Sequence, residues 1–96
     1  MDDSEKVAQI EEFFSKNYPE SEVLQQHDLD RGLYNYYVNS RSEGRLVFKI
    51  SEQCVDDNDI DSILDALSAR VIGVLESNPK MEVLLRKDFT IEVNDL

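Results

Sequence analysis

A chain of 96 residues, 41% apolar and 32% charged, with two prolines and three glycines, is sized for one globular core over residues 1–96 and too small for a deep internal cleft. Its net charge of -11 repels nucleic-acid backbones and anionic lipid surfaces, and the longest apolar run, Val71 to Leu75, is far below the roughly 20 residues that cross a bilayer. A single cysteine, Cys54, and an acidic amphipathic start in place of a basic leader point to the cytoplasm, with the thiol read as a small buried apolar group.

Asp2 and Glu5 have the spacing of a capping box, and Val7, Ile10 and Phe14 recur behind them at helical intervals, which predicts a first helix over about residues 3–17. Asn17, Tyr18 and Pro19 stop it. Residues 21–27 are either a short edge strand or irregular, and Asp28 to Gly32 read as a turn. Leu33 to Asn39 and Arg45 to Ser51 are rich in strand formers and pair as an antiparallel hairpin, with Tyr34, Tyr36, Val38, Leu46, Phe48 and Ile50 on the core face. Its polar connection, Ser40 to Gly44, places a glycine where a hairpin loop often needs positive φ.

The second helix is marked by one apolar stripe, Ile60, Ile63, Leu64, Leu67, Val71, Val74 and Leu75. Asp56 is the expected N-cap, with Val55 and Ile60 as a hydrophobic staple across it, and Asn78-Pro79 ends the helix. Beyond it, residues 81–93 alternate as one bent strand or two short ones. The order α-(β)-β-β-α-β predicts an α+β, two-layer fold: two helices on one face of a small, mostly antiparallel sheet, the other face bare. Double-stranded RNA-binding domains share that order of elements, but they need Lys and Arg at the start of the second helix, where this chain has Asp56, Asp57, Asp59 and Asp61.

No catalytic constellation emerges. His27 is the lone histidine, in a polar region; no glycine-rich loop is present to wrap phosphates; and with 21 acids, carboxylate pairs discriminate nothing. A calcium loop beginning at Asp57 fails, because Ser62 stands where Gly is needed and Ser68 where the bidentate Glu belongs. Neither a metal nor a cofactor is expected.

Charge is unevenly spread along the chain. Residues 1–30 carry -7 and residues 51–79 carry -6, whereas residues 31–50 carry +3, so the hairpin is the basic part of an acidic protein. Two features exceed what a bland fold requires. Asp57, Asp61 and Asp65 follow one another at i, i+4 intervals, which on one helix forms a carboxylate row about 6 Å apart. On the outer hairpin face, Leu33, Asn35, Tyr37, Val47 and Lys49 mix apolar, aromatic and cationic groups as interfaces do. The sequence therefore leads to a non-catalytic binding protein of the inhibitor, immunity or adaptor kind, engaging a basic protein surface and imitating a nucleic acid there, with no direct nucleic-acid or membrane contact. The alternative is a small homodimeric accessory protein whose acidity serves solubility.

Overall fold

The computed structural model describes residues 1–41 and 44–96. In chain order it contains helix α1 (Asp3–Asn17), strands β1 (Glu22–Asp28), β2 (Leu33–Ser40) and β3 (Gly44–Ser51), helix α2 (Glu52–Asp57), helix α3 (residues 60–77), and strands β4 (Met81–Leu85) and β5 (Ile91–Asp95). The strands form one sheet in sequence order. All neighbours run antiparallel except β3 and β4, which are parallel because the two helices cross between them, so the sheet is mixed within the expected α+β plan.

Helix α1 begins as its residues require: Asp2 accepts from the Glu5 amide at 2.9 Å and relieves an orphan donor of the first turn. Ile10 and Phe14 are wholly buried, and Phe14 packs on Tyr36 and Phe48 with ring centroids 5.7 and 5.3 Å away. Removing such a ring costs about 3–5 kcal/mol, which is the loss expected for Phe14→Ala. The Tyr36 hydroxyl donates to the Val7 carbonyl at 3.0 Å, which lets a phenol sit fully buried without an unmet polar group.

Residues 21–27 resolve as a strand, since β1 holds seven consecutive pairs with β2 from Glu22↔Asn39 to Asp28↔Leu33. The hairpin of β2 and β3 has the expected facing. Of its connection, Ser42 and Glu43 lie outside the described residues, and Gly44 has φ +79°. Residues 81–93 divide into two strands. Their turn is set by Asp88 Oδ1 accepting from the Thr90 amide at 3.1 Å and by Phe89 at φ +64°, a conformation rare for a non-glycine residue that lays its ring against the core.

The second helix departs from expectation. Its cap is Ser51, whose hydroxyl accepts from the Cys54 amide at 3.0 Å, so the helix starts earlier than Asp56 and then breaks: Asn58 is extended at φ -120°, ψ 148°. Asp59 caps a new helix by accepting from the Ser62 amide at 2.7 Å. Val55 and Ile60 are therefore no staple, and three helices replace the two expected. The break is held from elsewhere in the chain. Lys6 on α1, only 8% exposed, donates its Nζ to the Val55 carbonyl at 2.7 Å and the Asn58 carbonyl at 2.9 Å, while the Asn58 amide donates to the carbonyls of Cys54 and Lys87, each at 3.0 Å.

Helix α3 carries a π-helical turn at Leu67–Val71 between α-helical Ile60–Ala66 and Ile72–Ser77. The stripe explains it. Ile63, Leu67, Val71 and Leu75 recur every four residues and are all buried, yet a four-residue step on a regular helix advances about 40° too far each time. The wider turn resets the phase and keeps all four on the sheet.

Candidate functional site

The helical layer and the bare sheet face are chemically different surfaces. On the helical side, Asp56, Asp57, Asp59, Asp61 and Asp65 are all exposed. Asp61 lies in the first turn of α3, where the helix dipole favours it, and Asp65 lies one turn further on. The expected row of three is not continuous. Asp57 is the last residue of α2, on the far side of the Asn58 break, where the dipole opposes a negative charge. Bonding to Ser62 holds the Asp59 carboxyl below its usual range. Among the described residues, none of the ion pairs involves Asp56, Asp57, Asp61 or Asp65. Lys6 lies beneath them, but its ammonium is turned inward to the Val55 and Asn58 carbonyls.

On the other face, β-pairing brings all five hairpin residues together and adds neighbours that the sequence left unassigned. Tyr37 lies between Leu24 and Val47, Asn35 between Gln26 and Lys49, and Leu33 between Asp28 and Ser51. Strand β4 contributes Glu82 beside Val47 and Leu84 beside Lys49. The surface is more closed than an open hairpin would be. Val47 is 3% exposed, the Arg45 guanidinium lies over the Tyr37 ring at 4.3 Å, and Lys49 Nζ pairs with Glu82 at 2.7 Å. Asn35 is 5% exposed and its Oδ1 has no partner among the described residues. Leu24 is its exposed apolar group, at 43%.

At the end of the sheet near α2, His27 lies in β1, stacks on Tyr34 with centroids 4.3 Å apart and pairs through Nε2 with Glu52. Burial, followed by the carboxylates of Asp3, Glu52 and Asp56, pushes the Tyr34 hydroxyl upward. These groups line a shallow depression of about 470 Å³. His27 is thus engaged with a carboxylate and a ring. The Cys54 thiol is wholly buried, and desolvation pushes it up to about 11.

Sequence reasoning missed Lys6 as an internal tie, Asn58 as the break, and Leu24, Glu82 and Leu84 as members of the sheet face. The alternation of Leu24 with Val23 and Gln25 was the available signal for the first of these three. The other two required the parallel β3–β4 pairing. No helix among the described residues is long and apolar enough to cross a membrane. A scan against family models finds none that matches, and comparisons with curated proteins and with solved structures return no significant match.

Proposed function

We propose that this chain is a non-catalytic binding protein, of inhibitor, immunity or adaptor type, that presents its acidic helical layer to a basic surface on a partner protein in the cytoplasm. The observation that carries the reading is the set of exposed carboxylates at the α2–α3 junction, Asp56, Asp57, Asp61 and Asp65, which have no cationic partner among the described residues. Unpaired like charges held on rigid helices cost the fold a little and speed encounter with a complementary surface. Imitation of a nucleic acid rests on Asp61 and Asp65 alone, since the Asn58 break removes Asp57 from their row. The test is capture of a partner from the source cell at low and at moderate salt, followed by association rates for the purified pair. A partner held equally at both salts, by a surface without Lys and Arg, removes this reading.

A second reading is a homodimer joined through the bare sheet face, which would leave the acidity to serve solubility. It is favoured by the exposure of Leu24 beside Tyr37, an apolar and aromatic pair on a face that no helix covers.

A further inference from the structure

We infer that the free edge of β1 is an acceptor for an extended cationic segment of a partner protein, which adds to the sheet as a sixth strand. The inference rests on the binding-protein reading above and specifies how such a partner is held. Strand β1 ends the sheet, and its seven pairs with β2 run without a bulge. It contains neither proline nor lysine, the residues that commonly guard an edge. None of the backbone bonds outside the ladders falls on residues 22–28, so the groups turned away from β2 have no protein partner among the described residues. The opposite edge, β5, is shorter, and its Glu92 is already occupied by Arg86.

The helix side of this edge is open as well. A groove of about 360 Å³ runs between α1 and β1, bordered by Ser4, Ala8 and Glu11 on one side and by Gln25 and His27 on the other. Small residues on α1 leave room for the inward side chains of an added strand. Gln25 borders that space, and its Nε2 is buried with no acceptor among the described residues.

Charge decides the occupant. On the outer face β1 presents Glu22, Leu24, Gln26 and Asp28, an acid at each end with an apolar group between. Among the described residues Glu22 accepts from the Asn39 amide at 3.2 Å and forms no ion pair, and Arg31 Nε stands 3.9 Å from Asp28. A second copy of this chain pairing antiparallel about Gln25 would set Glu22 against Asp28 at both ends, and like charges directly opposite are destabilising. A foreign strand with Lys or Arg six residues apart, and an apolar residue two positions from one of them, meets both acids and covers Leu24.

The experiment pans a random dodecapeptide display library against the full chain at low salt, then measures the enriched peptides in solution. The expected peptides carry that spacing of cations, and on binding them the amides of residues 23–27 exchange more slowly. Glu22→Lys combined with Asp28→Lys, checked for folding by circular dichroism, should weaken them about tenfold and shift preference to versions with Glu at the two cationic positions. Asp61→Asn with Asp65→Asn should leave them unchanged. Failure to enrich any peptide overturns the inference, as does binding that ignores the β1 variant or protects β5 instead. A captured protein partner that depends on Asp61 and Asp65 while β1 stays freely exchanging removes strand addition and leaves the helical-layer reading standing.

Discussion

Lys6 Nζ donates to the Val55 carbonyl at 2.7 Å and to the Asn58 carbonyl at 2.9 Å, so a buried ammonium from the first helix ends the second. Truncation to methionine keeps the apolar stem and leaves both carbonyls without this donor. Lys6→Met should lower stability by about 1–3 kcal/mol, read as a lower denaturant midpoint at an unchanged m-value. An unchanged midpoint would mean that water replaces the ammonium at no cost.

The acidic pair on α3 separates stability from recognition. Asp61→Asn with Asp65→Asn removes a like-charge i, i+4 contact from an exposed face and gives up the dipole benefit of Asp61, effects of opposite sign and a few tenths of a kcal/mol each, so stability should change by less than about 0.5 kcal/mol. Association with a basic partner should slow, and the difference should shrink as salt rises. An association rate equal to that of the unmodified protein at every salt concentration would detach these carboxylates from recognition.

Dimerisation through the sheet face has its own readout. Under that reading, sedimentation at high concentration gives a dimer, and Tyr37→Lys, which also abolishes the stack with Arg45, gives a folded monomer. A protein that stays monomeric at high concentration removes the homodimer.

Two glycines should respond oppositely to alanine. Gly73 sits in α3 at negative φ with open space around an added Cβ, so Gly73→Ala should stabilise by roughly 0.5–1 kcal/mol. At Gly32 the backbone has φ +66° and the added Cβ would lie 3.3 Å from Glu52 Oε1, so Gly32→Ala should destabilise by at least as much. Thermal melts of the two variants check both signs.

Alkaline pH should weaken the fold through groups that burial keeps protonated. Cys54 moves from an ordinary 9.0 to about 11, so between those limits the folded chain retains a proton the unfolded chain has lost. Its contribution is complete below about pH 9 and disappears as pH climbs through 11. Tyr36, pushed upward by burial, adds to the fall above its ordinary value of 10.0. Stability measured across this window should decline, and Cys54→Ala should flatten the decline. The same desolvation should make the native thiol slow toward alkylating reagents at neutral pH.

Most of the fold was legible where local chemistry is self-contained. Asp2 and Glu5 mark the start of α1 because a cap acts over three residues, and the hairpin facing follows from alternation alone. The break at Asn58 was not legible, because the donor that holds it comes from Lys6, 52 residues away, and because four acidic or amide residues in a row offer several equally good caps. Without the break, Asp57 reads as part of a row that does not exist. The hairpin residues were legible as one face, whereas the burial of Val47 was not, since Glu82 and Leu84 reach that face only through a parallel pairing no local pattern announces.

That parallel pairing also divides the molecule by the sequence range of its contacts. The β1–β2–β3 meander is built from near neighbours in sequence, but β4 can join β3 only after residues 52–80 have crossed the sheet, a closure that must be completed before its four pairs, Val47↔Glu82 to Ile50↔Leu85, return anything. The C-terminal hairpin is thus joined to the meander through these four pairs, and separation along this seam would uncover the edge of β3 that carries Phe48 and Ile50. On the outer surface the seam is clasped by Lys49 and Glu82, an ion pair 13% and 21% exposed, so salt screens this clasp less than it screens the exposed pairs Lys16–Glu12 and Arg86–Glu92.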